Sequence, residues 1–146
     1  MPAASGSFSC NVNVQTAIAL SDQSNHDLTL AEISGTQKSS DENFNNATIT
    51  YWGITDRVEG KGTQRGYFVN VHRHEGDRDW GTFEAKVATK DDQVTVEGIW
   101  QFSGGSGKFK GVTGNVTFQT EMTSPRTLEG SWQGTYTLAT AKAHAH

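Results

Sequence analysis

Two histidines separated by one residue, His72 and His74 in GYFVNVHRHEGDRDW (66–80), are the side chains whose type and spacing most directly invite chemistry. On a strand, residues two apart point to the same side. The pair therefore offers a grip on one ion, an acid–base group for one substrate, or a strand end running into solvent. Tyr67, Val69 and Val71 form one face of that strand; Phe68, Asn70, His72 and His74 form the other. If the second face points inward, Asn70 and His72 are polar groups in an apolar interior with His74 near the rim. Burial then favours a neutral His72 imidazole able to act as a base. If the first points inward, both histidines are solvated, and the clean alternation of the neighbouring strands favours this orientation.

Other candidates lie upstream. Glu32 in LTLAEIS shares a face with Leu28 and Leu30. A carboxylate on an apolar face is costly unless paired or functional, so Glu32 reads either as a general acid or as a strand-end residue reaching water. In ATITYWGITD (47–56) Tyr51 and Trp52 point opposite ways, so one aromatic must enter the interior. The catalytic candidates are thus His72, Glu32, Tyr51 and Asn70, with Trp52, Trp100, Phe118, Trp132 and Tyr136 as aromatic walls of a binding site. The acids Glu75, Asp77 and Asp79, interleaved with Arg73 and Arg78, read as a solvated turn.

A metal is not expected. Gly66, five residues, then His72-Arg73-His74 is similar to the opening of the cupin metal motif, which continues with a Glu and a distant block carrying Pro, Gly and another His. Here Arg78 and Asp79 occupy the downstream positions and the second block is missing. Asp79 is a conceivable oxygen ligand, but His26 is the one other histidine outside the tail. GGSGKFKGVTG (104–114) lacks the spacing and the helix of a phosphate-binding loop, so its glycines read as a hairpin with φ > 0 where the chain reverses.

The elements that must position these groups are strands. Sixteen glycines and two prolines punctuate runs rich in Val, Thr, Phe, Tyr and Trp, and helical periodicity is almost absent. Phe83, Ala85 and Val87 alternate with polar residues. So do Val94, Val96, Trp100 and Phe102, then Val112, Val116, Phe118 and Met122, then Leu128, Trp132, Tyr136 and Leu138. Further strands are expected near 8–16, 27–33, 46–56 and 64–73, with a tight turn at TKDDQ (89–93) and a longer loop over 34–45. About eight one-sided strands suit an antiparallel meander closed into a barrel, with a β-sandwich or a cupin-like jelly roll as alternatives. EGIWQ (97–101) returns as EGSWQ (129–133), placing a Gly and a Trp on the buried face each time. These pairs read as core tryptophans beside crowding-relieving glycines, or as a pocket lining.

At 146 residues the chain is expected to be one domain, with 1–6 and the tail 139–146 flexible. A formal charge of -4 without any basic block argues against nucleic acid and anionic membranes as partners. No stretch approaches the roughly 20 apolar residues of a membrane span, and the N-terminus shows no export signal. The single Cys10 rules out an internal disulfide and fits a reducing compartment, so a cytoplasmic location is expected. Asn46-Ala-Thr48 and Asn115-Val-Thr117 match the glycosylation sequon by chance in a chain rich in Asn and Thr.

GIWQFSGGSGKFKGVTGNVTF followed by EGSWQGTYTL resembles the closing half of small bacterial barrels related to allene oxide cyclase, a lipocalin-like superfamily near the dirigent proteins. The likeness covers about 93–138. It implies an eight-stranded barrel with an apolar cavity, often packed as a trimer, and carries no catalytic residue across. The functional expectation is a cofactor-independent cyclase, isomerase or lyase acting on a small apolar molecule, possible as a trimer or dimer. The alternatives are a non-catalytic lipocalin-type binding protein and a metal-dependent cupin-like enzyme.

Overall fold

The structure, a computed structural model, describes residues 3–72, 74 and 76–139. Eight strands follow one another: β1 (Ala3–Leu20), β2 (His26–Ser39), β3 (Thr48–Val58), β4 (Lys61–Val71), β5 (Arg78–Lys90), β6 (Gln93–Ser106), β7 (Thr113–Ser124) and β8 (Thr127–Thr137). Each pairs antiparallel with the next, and β8 returns to β1, closing a meander barrel. This order answers the choice left open by the sequence. A single closed sheet has neither the two faces of a sandwich nor the crossed connections of a jelly roll.

Alternation decides which side chains fill the barrel. Phe83, Ala85 and Val87 on β5, Trp100 and Phe102 on β6, Val116 and Phe118 on β7, and Leu128, Trp132 and Tyr136 on β8 are buried, as their spacing predicts. Aromatic rings meet at the centre: Trp100 stacks on Phe118 at 4.9 Å, and Phe8 and Phe68 approach Trp100 at 5.5 and 5.6 Å. The glycines of the repeated pentapeptide relieve crowding. A Cβ at Gly130 would meet the Phe8 ring at 2.3 Å, and one at Gly98 the Ala85 Cβ at 2.5 Å.

The two ends of the barrel differ. At one end the turns are short, and Glu59-Gly60 and Asp91-Asp92 place consecutive residues at positive φ, as tight hairpins require. At the other end, called the mouth below, residues 40–47, 72, 74, 76–77 and 107–112 gather.

Several expectations need correction. Within the N-terminal stretch expected to be flexible, Ala3–Gly6 pair with Thr135–Trp132 of β8, while residues 1, 2 and 140–146 lie outside the described residues. The first half of the loop expected over 34–45 is strand, because β2 runs to Ser39 with Gln37 fully buried. Gly35 permits this: a Cβ there would meet the Ser9 carbonyl oxygen of β1 at 1.9 Å. Leu28, Leu30 and Glu32 face outward, and Thr29, Ala31 and Ile33 face the core. Since Ile33 stands opposite Tyr51 and Glu32 opposite Trp52, the ladder passes the same orientation to β3: Tyr51 is buried, and Trp52 sits on the outer wall, 36% exposed. On β4 the face carrying Phe68 and Asn70 points inward, against the solvated orientation that the neighbouring alternation favoured.

Candidate functional site

His72 directly follows β4, and its side chain continues the inward face of Phe68 and Asn70. Across the ladder Asn70 stands opposite Asp79 of β5. Asp79 was read as part of a solvated turn; it is fully buried, because β5 begins at Arg78 and Asp79 continues inward from Gly81, Phe83 and Ala85. Gln37 enters from β2. These side chains form one chain of hydrogen bonds. Gln37 Nε2 donates to Asn70 Oδ1 at 2.7 Å, Asn70 Nδ2 donates to Asp79 Oδ1 at 2.9 Å, and Asp79 Oδ2 meets His72 Nε2 at 2.5 Å. The other ring nitrogen, Nδ1, lies 2.7 Å from the carbonyl oxygen of Asn43.

That last contact fixes the proton inventory. A carbonyl oxygen only accepts, so Nδ1 carries a hydrogen and donates it. One further proton is shared between Nε2 and Oδ2, giving either an imidazolium–carboxylate pair or a neutral imidazole beside a carboxylic acid. Burial pushes the Asp79 carboxyl above the ordinary carboxylate range, while the hydrogen bonds from His72 and Asn70 pull the other way. His72 therefore presents a donor toward the mouth and not the bare nitrogen of a base.

The ring packs against two aromatic neighbours. It stacks on Phe109 at 3.9 Å with 14° between planes, and Phe44 meets it edge-on at 5.0 Å. Phe109 ends a short helical turn, Gly107–Phe109, entered through Gly107 at φ 60°. A recess of about 150 Å³ opens beside the pair, lined by Glu42, Asn43, His72, His74, Asp77, Lys108 and Phe109. His74 is exposed at its rim. A larger recess, about 1400 Å³, is lined mainly by outward-facing residues such as Ser7, Lys86, Glu97, Gln119 and Ser131. That larger recess is an open, mostly apolar groove rimmed by Lys38, Arg65, Glu84, Lys86 and Glu97, whereas the smaller one lies directly beside the buried His72–Asp79 pair.

Of the candidates read from sequence, His72 and Asn70 are brought together through Asp79. Tyr51 lies a pleat deeper, with its phenol held neutral chiefly by burial, 5.6 Å from the Phe83 ring. Trp132 and Tyr136 reach the mouth, while Trp100 and Phe118 belong to the packed centre. Glu32 and Trp52 leave the site altogether and satisfy each other on the outer wall, Trp52 Nε1 donating to Glu32 Oε1 at 2.9 Å. Burial drives the Cys10 thiol up to about 12, so it stays protonated and unreactive. Among the described residues no group of three or more His, Cys, Asp or Glu side chains is arranged to hold a metal ion. Asp79, Gln37 and Phe44 were missed. The period-two pattern of Phe83 and Ala85 runs back to Asp79, and Phe44 is the one large apolar residue in a polar segment, so both left a trace in the sequence.

Comparison with known proteins adds no relative: no family model, no curated protein and no solved structure matches this chain. Among the described residues no helix is long and apolar enough to cross a membrane.

Proposed function

We propose that the chain is a cofactor-independent enzyme that activates a carbonyl group of a small, largely apolar molecule at the barrel mouth, within the isomerase, cyclase or lyase chemistry expected from the sequence. One observation carries the reading: a fully buried carboxyl group, braced by Asn70 and Gln37, backs a histidine whose outward nitrogen is a donor. Four polar side chains in an apolar barrel are costly to arrange, and a proton relay is a use that matches the cost. When a substrate oxygen takes the place of the Asn43 carbonyl, Nδ1 gives it a proton while Nε2 takes the shared proton from Asp79. The substrate's α proton leaves to a carboxylate of the recess wall, Glu42 or Asp77. The imidazole ends neutral, Asp79 ends as carboxylate and the substrate as an enol, so protons balance.

Exchange of the α protons of an apolar ketone in heavy water, followed by NMR, tests this. Wild type should exceed His72→Gln by about 10²–10⁴-fold, the usual range for a positioned acid. Equal rates in the two proteins would reject the reading. A second reading, a non-catalytic binding barrel, is favoured by one fact: both ring nitrogens of His72 are already engaged. Ligand binding without exchange would select it. The dimer or trimer expected from sequence belongs to the same proposal. The exposed Val14, Leu30, Ile54 and Tyr67 on the outer wall of β1–β4 are the surface that a second copy would cover.

A further inference from the structure

The mouth is stoppered by the chain itself. Residue Phe44, in the segment between β2 and β3, is only 3% exposed although its neighbours are Asp, Glu and Asn. Its ring enters a box of five aromatic rings: His72 at 5.0 Å, Trp132 at 5.1 Å, Tyr136 at 5.2 Å, Phe109 at 6.0 Å and Phe102 at 6.5 Å. The preceding carbonyl, that of Asn43, is the group held by His72 Nδ1. Polar latches at the rim hold the segment down. Tyr136 Oη donates to Asp41 Oδ2 at 2.7 Å, Asn43 Nδ2 donates to Tyr136 Oη at 2.9 Å, and Lys108 Nζ donates to Asn43 Oδ1 at 2.6 Å.

A core built only for stability would fill this space from the strands, as it does at the centre. Here the filling comes from a connecting segment whose side-chain latches lie at the rim, part-buried where they meet Tyr136 and exposed at Lys108, and connecting segments are the parts of a fold that open locally. Of the four buried side-chain polar atoms without a hydrogen-bond partner among the described residues, two adjoin the segment: Trp132 Nε1, in a wall of the box, and Gln37 Oε1, at the inner end of the polar chain. Gln37 also pairs through its backbone with Asn46 and Ala47 of the same segment, so the segment and the polar chain share a residue.

We propose that the Asn43 carbonyl and the Phe44 ring occupy the site of the true ligand, which is an aromatic molecule carrying a carbonyl a short chain away, and that segment 40–47 lifts to admit it. This rests on the mouth being the working site and names the substrate class for it. The carbonyl accepts from His72 Nδ1, and the ring replaces Phe44 against Trp132, Tyr136 and Phe109. N-phenethylacetamide reproduces the covalent path from the Asn43 carbonyl through N, Cα and Cβ to the Phe44 ring. N-butylacetamide keeps the carbonyl and lacks the ring.

Both compounds are titrated against wild type and Phe44→Ala by calorimetry, with NMR of the His72 ring nitrogens. Phe44→Ala should bind N-phenethylacetamide at least about tenfold more tightly than N-butylacetamide, a preference that a ring-shaped site imposes. Binding should also shift the Nδ1 signal. Wild type should bind more weakly than Phe44→Ala, since its own segment competes, and amide hydrogen exchange over 40–47 should rise on binding. If Phe44→Ala does not fold, the wild-type exchange measurement carries the test. No binding to either protein, or wild-type binding that leaves 40–47 unchanged, overturns the proposal. Binding is read without turnover, so a failure of the catalytic reading shows separately in the ketone exchange.

Discussion

A carboxyl group with no exposed surface is tolerable in an apolar barrel only when its oxygens are hydrogen-bonded, and each oxygen of Asp79 has a partner, Oδ1 in Asn70 and Oδ2 in His72. Replacing it separates its structural work from its chemical work. In Asp79→Asn the side chain keeps its volume and an oxygen for Asn70, and its amide can donate to Nε2, so Nδ1 keeps its hydrogen. What disappears is the proton that moves. Thermal stability should therefore stay close to wild type, within about 1 kcal/mol, while ketone exchange falls by about 10²–10⁴-fold. Differential scanning calorimetry beside the heavy-water assay checks both. A loss of stability without a selective loss of exchange would make Asp79 a structural residue. Asn70 is a positioning residue on this account, since it touches Asp79 and Gln37 but not the recess.

The strands show how a face assignment propagates and why a sequence conceals half of it. Runs such as Phe83, Ala85, Val87 and the pairs Gly98/Trp100 and Gly130/Trp132 were legible, because apolar residues alternate with charged or amide side chains. β2, β3 and β4 were ambiguous for the opposite reason: they carry apolar residues on both faces, with Leu30, Ile54 and Tyr67 outside and Ile33, Tyr51 and Phe68 inside. The register with neighbours, which no local pattern contains, settles such strands. The same holds for the site. His72 and Asn70 were visible as a pair on one strand, but their partner Asp79 was hidden by the charged residues around it, and Gln37 by a stretch of loop-like composition. The face assignment has a direct consequence. Trp100→Ala, inside, should cost about 3–5 kcal/mol, whereas Trp52→Ala, outside, should cost less than about 1 kcal/mol. Denaturant unfolding of the two variants measures this, and similar costs for both would reverse the orientation of β3.

At the scale of the whole molecule, the two ends of the barrel carry different polar clusters. The mouth holds the buried His72–Asp79 pair and the segment that covers it; at the far end His26 joins two elements. Its Nδ1 lies 2.6 Å from Asp22 and its Nε2 2.7 Å from Asp56, joining the β1–β2 turn to β3. The two carboxylates raise the His26 pKa above its ordinary value of 6.5, hydrogen bonding to Asp22 being the largest cause and that to Asp56 the next, with partial desolvation opposing. A raised folded-state value means that the clamp stabilises fully below 6.5 and is lost as pH rises through the folded-state pKa. The melting temperature of wild type should thus exceed that of His26→Ala by more at about pH 6 than at about pH 9. A constant difference would show that the imidazole acts there by packing alone. The clamp stands where the β1–β8 ladder is absent: β1 pairs with β8 only over Ala3–Asn11, and its far half, Val14–Leu20, pairs with β2 alone.

The central claim is that His72 carries a hydrogen on Nδ1 and shares the other proton with Asp79. Nitrogen NMR of selectively histidine-labelled protein reads both nitrogens directly, with His72→Gln supplying the assignment. The account predicts a protonated Nδ1 hydrogen-bonded to a carbonyl and, in Asp79→Asn, an Nδ1 that keeps its hydrogen while Nε2 becomes that of a neutral ring. A His72 with a bare Nδ1 in the wild-type protein would contradict it.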